Sequence, residues 1–195
     1  KHTCSNAPAA VYAFKLFEAT ADSTYFEQGK SIYEWTYKNL RDTTDNLYYD
    51  NINLEGKIDK AKYAYNSGQM LQAAALLYKL TKEEQYLKTA KDIAESCYSY
   101  FFNGFETPEG DKFRILKKRD IWFTAVMFRG FIELYRIDNH SVYIDAFRQN
   151  LDYAWNHMRD DNGLFNTDWS VEIKDESKWV LTQAAMVEMY ARTTS

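Results

Sequence analysis

The sequence contains few of the residues that break, cross-link or anchor a chain. It has two prolines, seven glycines and two cysteines in 195 residues, and no apolar run approaches the ~20 residues of a membrane span. Cys4 and Cys97 fit neither a zinc site nor a disulfide framework, so we expect two buried free thiols. Because no linker or low-complexity tract interrupts the chain, we expect one domain over residues 1–195.

The charges are balanced, and no set of metal ligands is apparent. The net charge is −4 with both signs interspersed, which argues against nucleic acid or an anionic membrane as the partner. His2, His140 and His157 fall at unrelated places, so we expect no metal site. No phosphate-binding loop, nucleophile elbow or Cys–His signature is present, and we expect no cofactor.

One sequence pattern recurs every 55–61 residues along the chain. Three full copies begin at Leu16, Leu77 and Leu134, each with a tyrosine nine residues later, and a fourth start lies at Met189. Spacing this constant marks one recurring supersecondary unit, as in solenoids and toroids.

Each unit combines two helices of different character. The first segment is apolar on most sides, as in residues 70–77, which is typical of a buried helix. The second has apolar residues at helical spacing with charged residues between them, as from Leu87 to Cys97, so one face meets solvent. We therefore predict an all-α fold of about three and a half helical hairpins, without strands. Inner helices are expected near 6–20, 66–81, 121–137 and 177–193, and outer helices near 23–41, 84–102 and 141–158.

The connections between helices differ in length. Inner-to-outer turns have only a few residues, whereas the outer-to-inner connections run roughly twenty residues, near 42–64, 104–119 and 159–178, well above the usual loop length. The long loops all leave the same end of their hairpins, so we expect them at one rim. Long loops on a rigid scaffold are where sites are usually built. The candidate site therefore lies at the N-terminal ends of the inner helices.

Aromatic residues make up 17% of the chain and suit a sugar-binding cleft, where flat rings pack against pyranose faces. Packing between hairpins explains most of them equally well. The binding candidates are the rings outside the helical stripes, namely Tyr48, Tyr49, Tyr63, Tyr65, Trp122 and Trp169.

Polar residues at the predicted starts of the inner helices have two interpretations. Asn6, Asn66 or Ser67 could cap a helix or contact a sugar, and the two roles can coexist. Asp120 could be an N-cap aspartate favoured by the helix dipole. Asp160 and Asp161 could form a glycosidase acid/base pair, but the Asp-Asn-Gly that they begin favours a turn.

These features resemble glycoside hydrolase family 76, the bacterial endo-α-1,6-mannanases and their fungal cell-wall relatives. The matching stretches, in the family's order, are residues 4–10, 47–53, 63–68, 122–123 with Arg129, 155–156 and 163–169. The resemblance implies an (α/α)6 toroid, which agrees with the hairpins, and α-1,6-linked mannan or a related polysaccharide as substrate. It also implies the cell surface, the periplasm or secretion, although this sequence shows no signal peptide.

Two departures from the family limit which of its functional residues can be assigned in this sequence. Many members have Phe-Lys-Gly where this chain has Phe123-Thr124-Ala125. The resemblance also places the catalytic pair of neighbouring aspartates ahead of the Ser5-Asn6 motif, and this sequence begins just before that motif. Six hairpins of this period would need about 340 residues. We therefore expect an incomplete toroid, completed by a missing half in the same or another chain, and assign no catalytic residue.

The leading interpretation is a mannan-directed glycoside hydrolase for which this chain supplies half of the cleft. The residues expected to shape substrate subsites are Asn6, Tyr65, Asn66, Asp120, Trp122, Asp168 and Trp169. Asp120 with Asp168 is the one carboxylate pair that could still act within the chain. One alternative is a non-catalytic carbohydrate-binding scaffold, which needs rim aromatics without a carboxylate pair. Another is a sugar epimerase or isomerase, which would need histidines at inner-helix starts, where only His2 lies.

Overall fold

The computed structural model describes residues 1–193, which contain seven α-helices and two β-hairpins. The helices are α1 (Thr3–Thr20), α2 (Ser23–Leu40), α3 (Ala64–Thr81), α4 (Glu84–Phe101), α5 (Ile121–Asp138), α6 (Val142–His157) and α7 (Val180–Thr193). Antiparallel pairs join β1 (Tyr49–Ile52) to β2 (Ile58–Lys62) and β3 (Phe102–Glu106) to β4 (Lys112–Leu116). The predicted all-α class and all seven predicted helices are confirmed.

The helices form an inner row and an outer row. The inner helices pack side by side in the order α1, α3, α5 and α7, and the outer helices α2, α4 and α6 each pack on the inner helix that precedes them. The two central inner helices are the most buried, because each has inner neighbours on both sides and an outer helix behind it. Within the described residues, no helix is long and apolar enough to cross a membrane.

Two glycines allow α3 and α5 to approach until their backbones touch. A Cβ placed on Gly68 would lie 2.3 Å from Met127 Cα, and one on Gly130 would lie 2.4 Å from the Gly68 carbonyl oxygen. Real Cβ atoms do not approach other atoms this closely, so only glycine fits either position. The contact fixes the spacing of the two helices whose N-terminal ends reach the long-loop rim.

Each short inner-to-outer turn uses the same backbone conformation. Ala21, Lys82 and Asn139 adopt left-handed φ angles of 58°, 63° and 53°, and each amide donates to the carbonyl four residues earlier. This is the usual way of satisfying a carbonyl at a helix C-terminus, although glycine is absent from all three positions.

The expectation that the chain lacks strands is wrong, because two of the long loops contain β-hairpins. Every residue of β1 is half-buried, so the strand shows no alternation of buried and exposed residues. The second hairpin is fastened to α6 by the buried Asn150, whose Oδ1 accepts from Leu116 N at 2.8 Å and whose Nδ2 donates to Arg114 O at 2.8 Å. No strand residue of the first hairpin is fully buried, whereas Phe102, Ile115 and Leu116 of the second hairpin also pack in the core.

The prediction of two buried thiols is correct for one cysteine and wrong for the other. Cys97 on α4 is fully buried, and this burial raises the pKa of its thiol well above the ordinary range. Cys4, in the first turn of α1, is exposed. Both cysteines are free.

The two helices that end the inner row leave apolar surface uncovered. On α1, Tyr12 is 65% exposed and Ala9, one turn earlier, is exposed as well. On α7, Val180, Ala184 and Val187 follow one another at helical spacing and are all exposed, with Val180 at 78%. The corresponding flanks of α3 and α5 are covered by neighbouring inner helices.

Candidate functional site

Three aromatic rings lie nearly parallel where α3 and α5 begin. The Tyr63 and Tyr65 rings stack with centroids 5.4 Å apart and an angle of 10°, and Tyr65 stacks on Trp122 at 5.4 Å and 3°. Phe123 meets Tyr65 and Trp122 edge-on at 4.5 Å and 4.4 Å. We call Tyr63, Tyr65 and Trp122 the aromatic row. All three rings are partly exposed, so the row forms a surface that a ligand can reach.

The repeat explains why these rings meet. Tyr65 is the second residue of α3 and Trp122 is the second residue of α5, so both occupy the same place in successive inner helices. Gly68, one turn further into α3, allows the two helices to pack closely enough for the rings to stack. The sequence predicted this meeting of Tyr65 and Trp122 at the long-loop rim.

A carboxylate lies beside the aromatic row. Asp50 of β1 accepts hydrogen bonds at Oδ1 from Asn66 Nδ2 at 3.1 Å and from the Tyr65 hydroxyl at 3.5 Å, and at Oδ2 from Asn51 Nδ2 at 3.0 Å. The Nδ1 atom of His2 lies 3.8 Å from Oδ2. Burial and then the charge of Asp50 raise the pKa of Tyr65 well above its ordinary range, so the phenol remains a donor.

The capping interpretation of Asn66 and Ser67 is wrong, because α3 begins at Ala64 and both residues lie inside its first turn. Both are fully buried. The Asn66 amide is turned toward Asp50, and the Ser67 hydroxyl accepts a hydrogen bond from Tyr48 N at 3.0 Å. Their side chains therefore connect the helix to the loop that carries Asp50 instead of satisfying the helix's own amides.

The other predicted helix-start residues are placed differently. Asn6 lies within the first turn of α1 and donates through Nδ2 to the carbonyl of His2 at 2.6 Å, so it is not the cap of that helix. Asp120 does occupy the N-cap position of α5, but its exposed side chain makes no capping hydrogen bond. Both stay at the rim where the sequence placed them.

Asp168 and Trp169 are built into the loop before α7. The Asp168 carboxylate accepts from Ser170 Oγ at 2.9 Å and from Ile173 N at 3.0 Å, which occupies both of its oxygens. The Trp169 side chain is 1% exposed and belongs to the core. Burial points to a structural role for this pair, and their assignment to substrate subsites stays a prediction.

The family model described as glycosyl hydrolase family 76 matches residues 1–112, more than half of the chain. The chain belongs to this family. The matched segment contains Asp50, Tyr65 and Asn66, so the carboxylate side of the candidate site lies within the part that defines membership.

Solved structures of family 76 relatives agree with this fold over nearly the whole chain. A family 76 glycoside hydrolase from a bovine Bacteroides thetaiotaomicron strain is 38% identical, with a TM-score of 0.94 over 98% of this chain and 42% of that one. An inactive variant of an α-1,6-mannanase from Salegentibacter sp., in complex with α-1,6-mannotetrose, is 26% identical with a TM-score of 0.81 over 99% of this chain and 58% of that one. The mannan endo-1,6-α-mannosidase DCW1 of Saccharomyces cerevisiae is 25% identical over 109 residues, 53% of this chain and 24% of that protein. The helical hairpins are thus part of the (α/α)6 toroid of family 76, and the chain spans about half or less of these relatives.

The consecutive aspartates of this family 76 chain form a turn, as the sequence favoured. The amide of Gly163, whose φ is 82°, donates to Asp160 O at 2.8 Å. The Asp160 side chain accepts from Asn166 at 2.9 Å and pairs with Lys178 at 2.8 Å, and these contacts lower the pKa of Asp160. Asp161 is exposed. The two carboxylates do not face a shared cleft as an acid and a base would.

Asp50 is the site residue that sequence reasoning missed. It lies inside residues 47–53, which resemble the family, but the pattern predicts no role for its side chain. A strand without alternation offers no signal for where its side chains point. The available signal was chemical, since Asp50 is an acid between two tyrosines and two asparagines in a loop at the rim.

Proposed function

We propose that this family 76 chain provides the α-1,6-mannan-binding wall of a glycoside hydrolase. The observation that carries the proposal is the aromatic row beside the Asp50 carboxylate, at the inner-helix N-termini. Tyrosine and tryptophan rings combine an apolar face with a polar tip, and a carboxylate accepts strong charge-assisted hydrogen bonds from hydroxyls. This combination suits a neutral sugar, which offers an apolar face and several hydroxyl groups.

The relatives support mannan as the glycan. The Salegentibacter enzyme is named an α-1,6-mannanase, and its inactive variant is in complex with α-1,6-mannotetrose. The yeast relative is named a mannan endo-1,6-α-mannosidase. In our proposal Trp122 and Tyr63 contact the sugar face, Asp50 accepts from a sugar hydroxyl, and Asn66 and the Tyr65 hydroxyl orient Asp50.

We further propose that the catalytic carboxylates lie outside these 195 residues. Glycoside hydrolysis needs two carboxyl groups on opposite sides of the scissile bond, and the described carboxylates near the rim are unsuited. The Asp50 and Asp168 side chains are directed at protein donors rather than at a partner carboxylate, although each oxygen can accept a further hydrogen bond, and Asp120 is exposed. Replacement of two consecutive aspartates gives the inactive Salegentibacter variant, whereas the consecutive aspartates here form a turn.

The exposed flanks of α1 and α7 support completion of the ring by further helices. The described residues supply four inner and three outer helices, and an (α/α)6 ring has six of each. Contiguous exposed apolar surface usually marks an interaction site. We propose that the remaining helices of the toroid cover Ala9 and Tyr12 on one edge and Val180, Ala184 and Val187 on the other.

Binding is tested by titrating the purified chain with α-1,6-mannotetraose in a calorimeter. Trp122→Ala should weaken binding about 3- to 10-fold, from the loss of a stacking contact. Asp50→Asn should weaken it about 10-fold or more, from the loss of a charged acceptor. The matched controls are Tyr100→Ala, a partly exposed ring on α4, and Asp161→Asn in the loop turn. If the unaltered chain does not bind, or both site variants bind like the controls, the binding proposal is wrong.

Hydrolysis is tested by incubating the chain with α-1,6-mannan and measuring reducing ends. We expect no turnover, because binding contacts survive on one wall whereas acid/base chemistry needs both carboxyl groups in place. Robust turnover that disappears in Asp120→Asn would place the catalytic groups in this chain and contradict the proposal.

A non-catalytic carbohydrate-binding scaffold is the second candidate. It is favoured by one observation, the absence of a free pair of facing carboxylates near the aromatic row among residues 1–193. Both candidates predict binding by the isolated chain. Turnover by the complete ring separates them, since only the hydrolase cleaves α-1,6-mannan.

A further inference from the structure

Two buried hydroxyl groups hold the backbone immediately before Asp50. The Thr3 hydroxyl on α1 donates to the carbonyl oxygen of Tyr49 at 2.6 Å, and the Ser67 hydroxyl on α3 accepts from the amide of Tyr48 at 3.0 Å. Thr3, Ser67 and Tyr48 are each fully buried. These contacts tie Tyr49, the first residue of β1, and Tyr48, directly before it, to two inner helices.

Apart from Asn51 of β1, the groups that contact the Asp50 side chain lie on these helices or directly before them. α3 provides Tyr65 and Asn66, and His2, directly before Thr3, forms an antiparallel bridge with Asn51 and approaches the Asp50 carboxylate. Residues on or directly before α1 and α3 therefore hold both the backbone next to Asp50 and its side chain. The tip of the β1–β2 hairpin, residues 53–57, is exposed and contributes none of these contacts.

We propose that Thr3 and Ser67 are positioning residues for Asp50, setting its distance from the aromatic row. This inference rests on the proposed function of the site. Neither hydroxyl contacts the ligand in our proposal, because both are enclosed behind β1. Their effect on mannan binding therefore passes through Asp50 and disappears when the Asp50 carboxylate is removed.

The test uses Thr3→Val, which keeps the shape of the side chain and removes the hydroxyl, and Ser67→Ala. Each should weaken α-1,6-mannotetraose binding about 3- to 10-fold, as expected for one lost hydrogen bond, and Thr3→Ser should restore it. In the Asp50→Asn background the same changes should cost little further affinity, because coupled residues are not additive. A residue with a merely structural role would give the same loss in both backgrounds.

Thr36→Val is the matched control. Thr36 is a fully buried threonine on α2 whose hydroxyl donates to Ile32 O at 2.8 Å within its own helix. Its replacement should lower stability by a similar amount and leave the Kd for mannotetraose unchanged. Equal loss of binding in Thr36→Val and Thr3→Val would show that general destabilisation, not positioning, is responsible.

A measurement without ligand separates this inference from the proposed function. The side-chain amide of Asn66 donates to Asp50, so its ¹H–¹⁵N resonance reports where Asp50 lies. Thr3→Val and Ser67→Ala should move that resonance toward its position in Asp50→Asn, while Thr36→Val should not. An Asn66 resonance unchanged in both variants overturns the positioning inference. If the resonance moves but the unaltered chain binds no mannotetraose, only the proposed function fails.

Discussion

Replacing Gly68 by alanine tests the backbone contact that fixes α3 against α5. The added Cβ would lie 2.3 Å from Met127 Cα and 2.9 Å from Met127 Cβ, whereas carbon atoms normally pack about 3.5–4 Å apart. Since the nearest atom belongs to a helix backbone, no rotamer change relieves the overlap. The two helices must move apart by about 1 Å or more, which loosens the core on both sides of the contact.

The expected magnitude follows from two opposing effects. Alanine in place of glycine inside a helix stabilises it by about 1 kcal/mol, and overpacking costs about 1–3 kcal/mol, occasionally more. Because the clash is with backbone, we take the upper end, which leaves a net loss of about 2 kcal/mol. For a chain of this size each 1 kcal/mol lowers Tm by about 2–4 °C, so Gly68→Ala should lower Tm by about 4–8 °C.

Thermal unfolding followed by far-ultraviolet circular dichroism measures this difference. Near-ultraviolet dichroism should change as well, because the Tyr65 and Trp122 rings sit on the two helices that separate. The control is Gly104→Ala on β3, where an added Cβ would meet nothing within 4 Å. A Gly68→Ala protein as stable as the unaltered chain would refute the close contact and the account of how the aromatic row is assembled.

Two further predictions concern the fastening of the rim loops. Asn150→Ala should lower the free energy of unfolding by about 2–4 kcal/mol, because it removes the hydrogen-bond partner of the buried Leu116 amide and of the Arg114 carbonyl. A loss below about 0.5 kcal/mol in urea unfolding would contradict this. Lys62→Met should lower the free energy of unfolding by about 1–3 kcal/mol at pH 7, because Lys62 forms ion pairs with Asp42 and Asp45, each at 2.6 Å. Burial alone would raise the pKa of Asp42, but hydrogen bonds led by Lys62 outweigh it and hold that pKa well below its usual value. The stabilisation is therefore complete above about pH 5 and is lost as the pH falls below about 4, so urea unfolding should show the two proteins converging in acid; a gap that stays constant down to pH 2 would contradict the assignment.

The helices could be predicted because each buries an apolar stripe that the sequence displays. α5 was expected at 121–137 and spans Ile121–Asp138. The predicted starts of α1 and α3 lie three and two residues late, because Asn6 and Asn66, the expected caps, lie inside the first turns. α1 begins at Thr3 with Pro8 further inside, and α3 begins at Ala64.

The candidate site was only half predictable. Tyr65 and Trp122 follow from the repeat, since equivalent positions of adjacent repeats come together. Asp50 does not, because its place depends on a strand whose position is set by hydrogen bonds from distant helices rather than by a pattern of its own. The burial of Trp169 could not be predicted for a related reason: its loop places the side chain in the core formed by the helices, and no helical periodicity marks that position.

The three short turns constrain how this protein can change over evolutionary time. Each joins an inner to an outer helix through one left-handed residue and very few others. An extra residue there would rotate the following helix by about 100° and turn its apolar stripe away from the core. Insertions and deletions are therefore tolerated at the opposite rim, in the long loops. The loops around the candidate site can diverge in length and shape while the helices that support them stay the same.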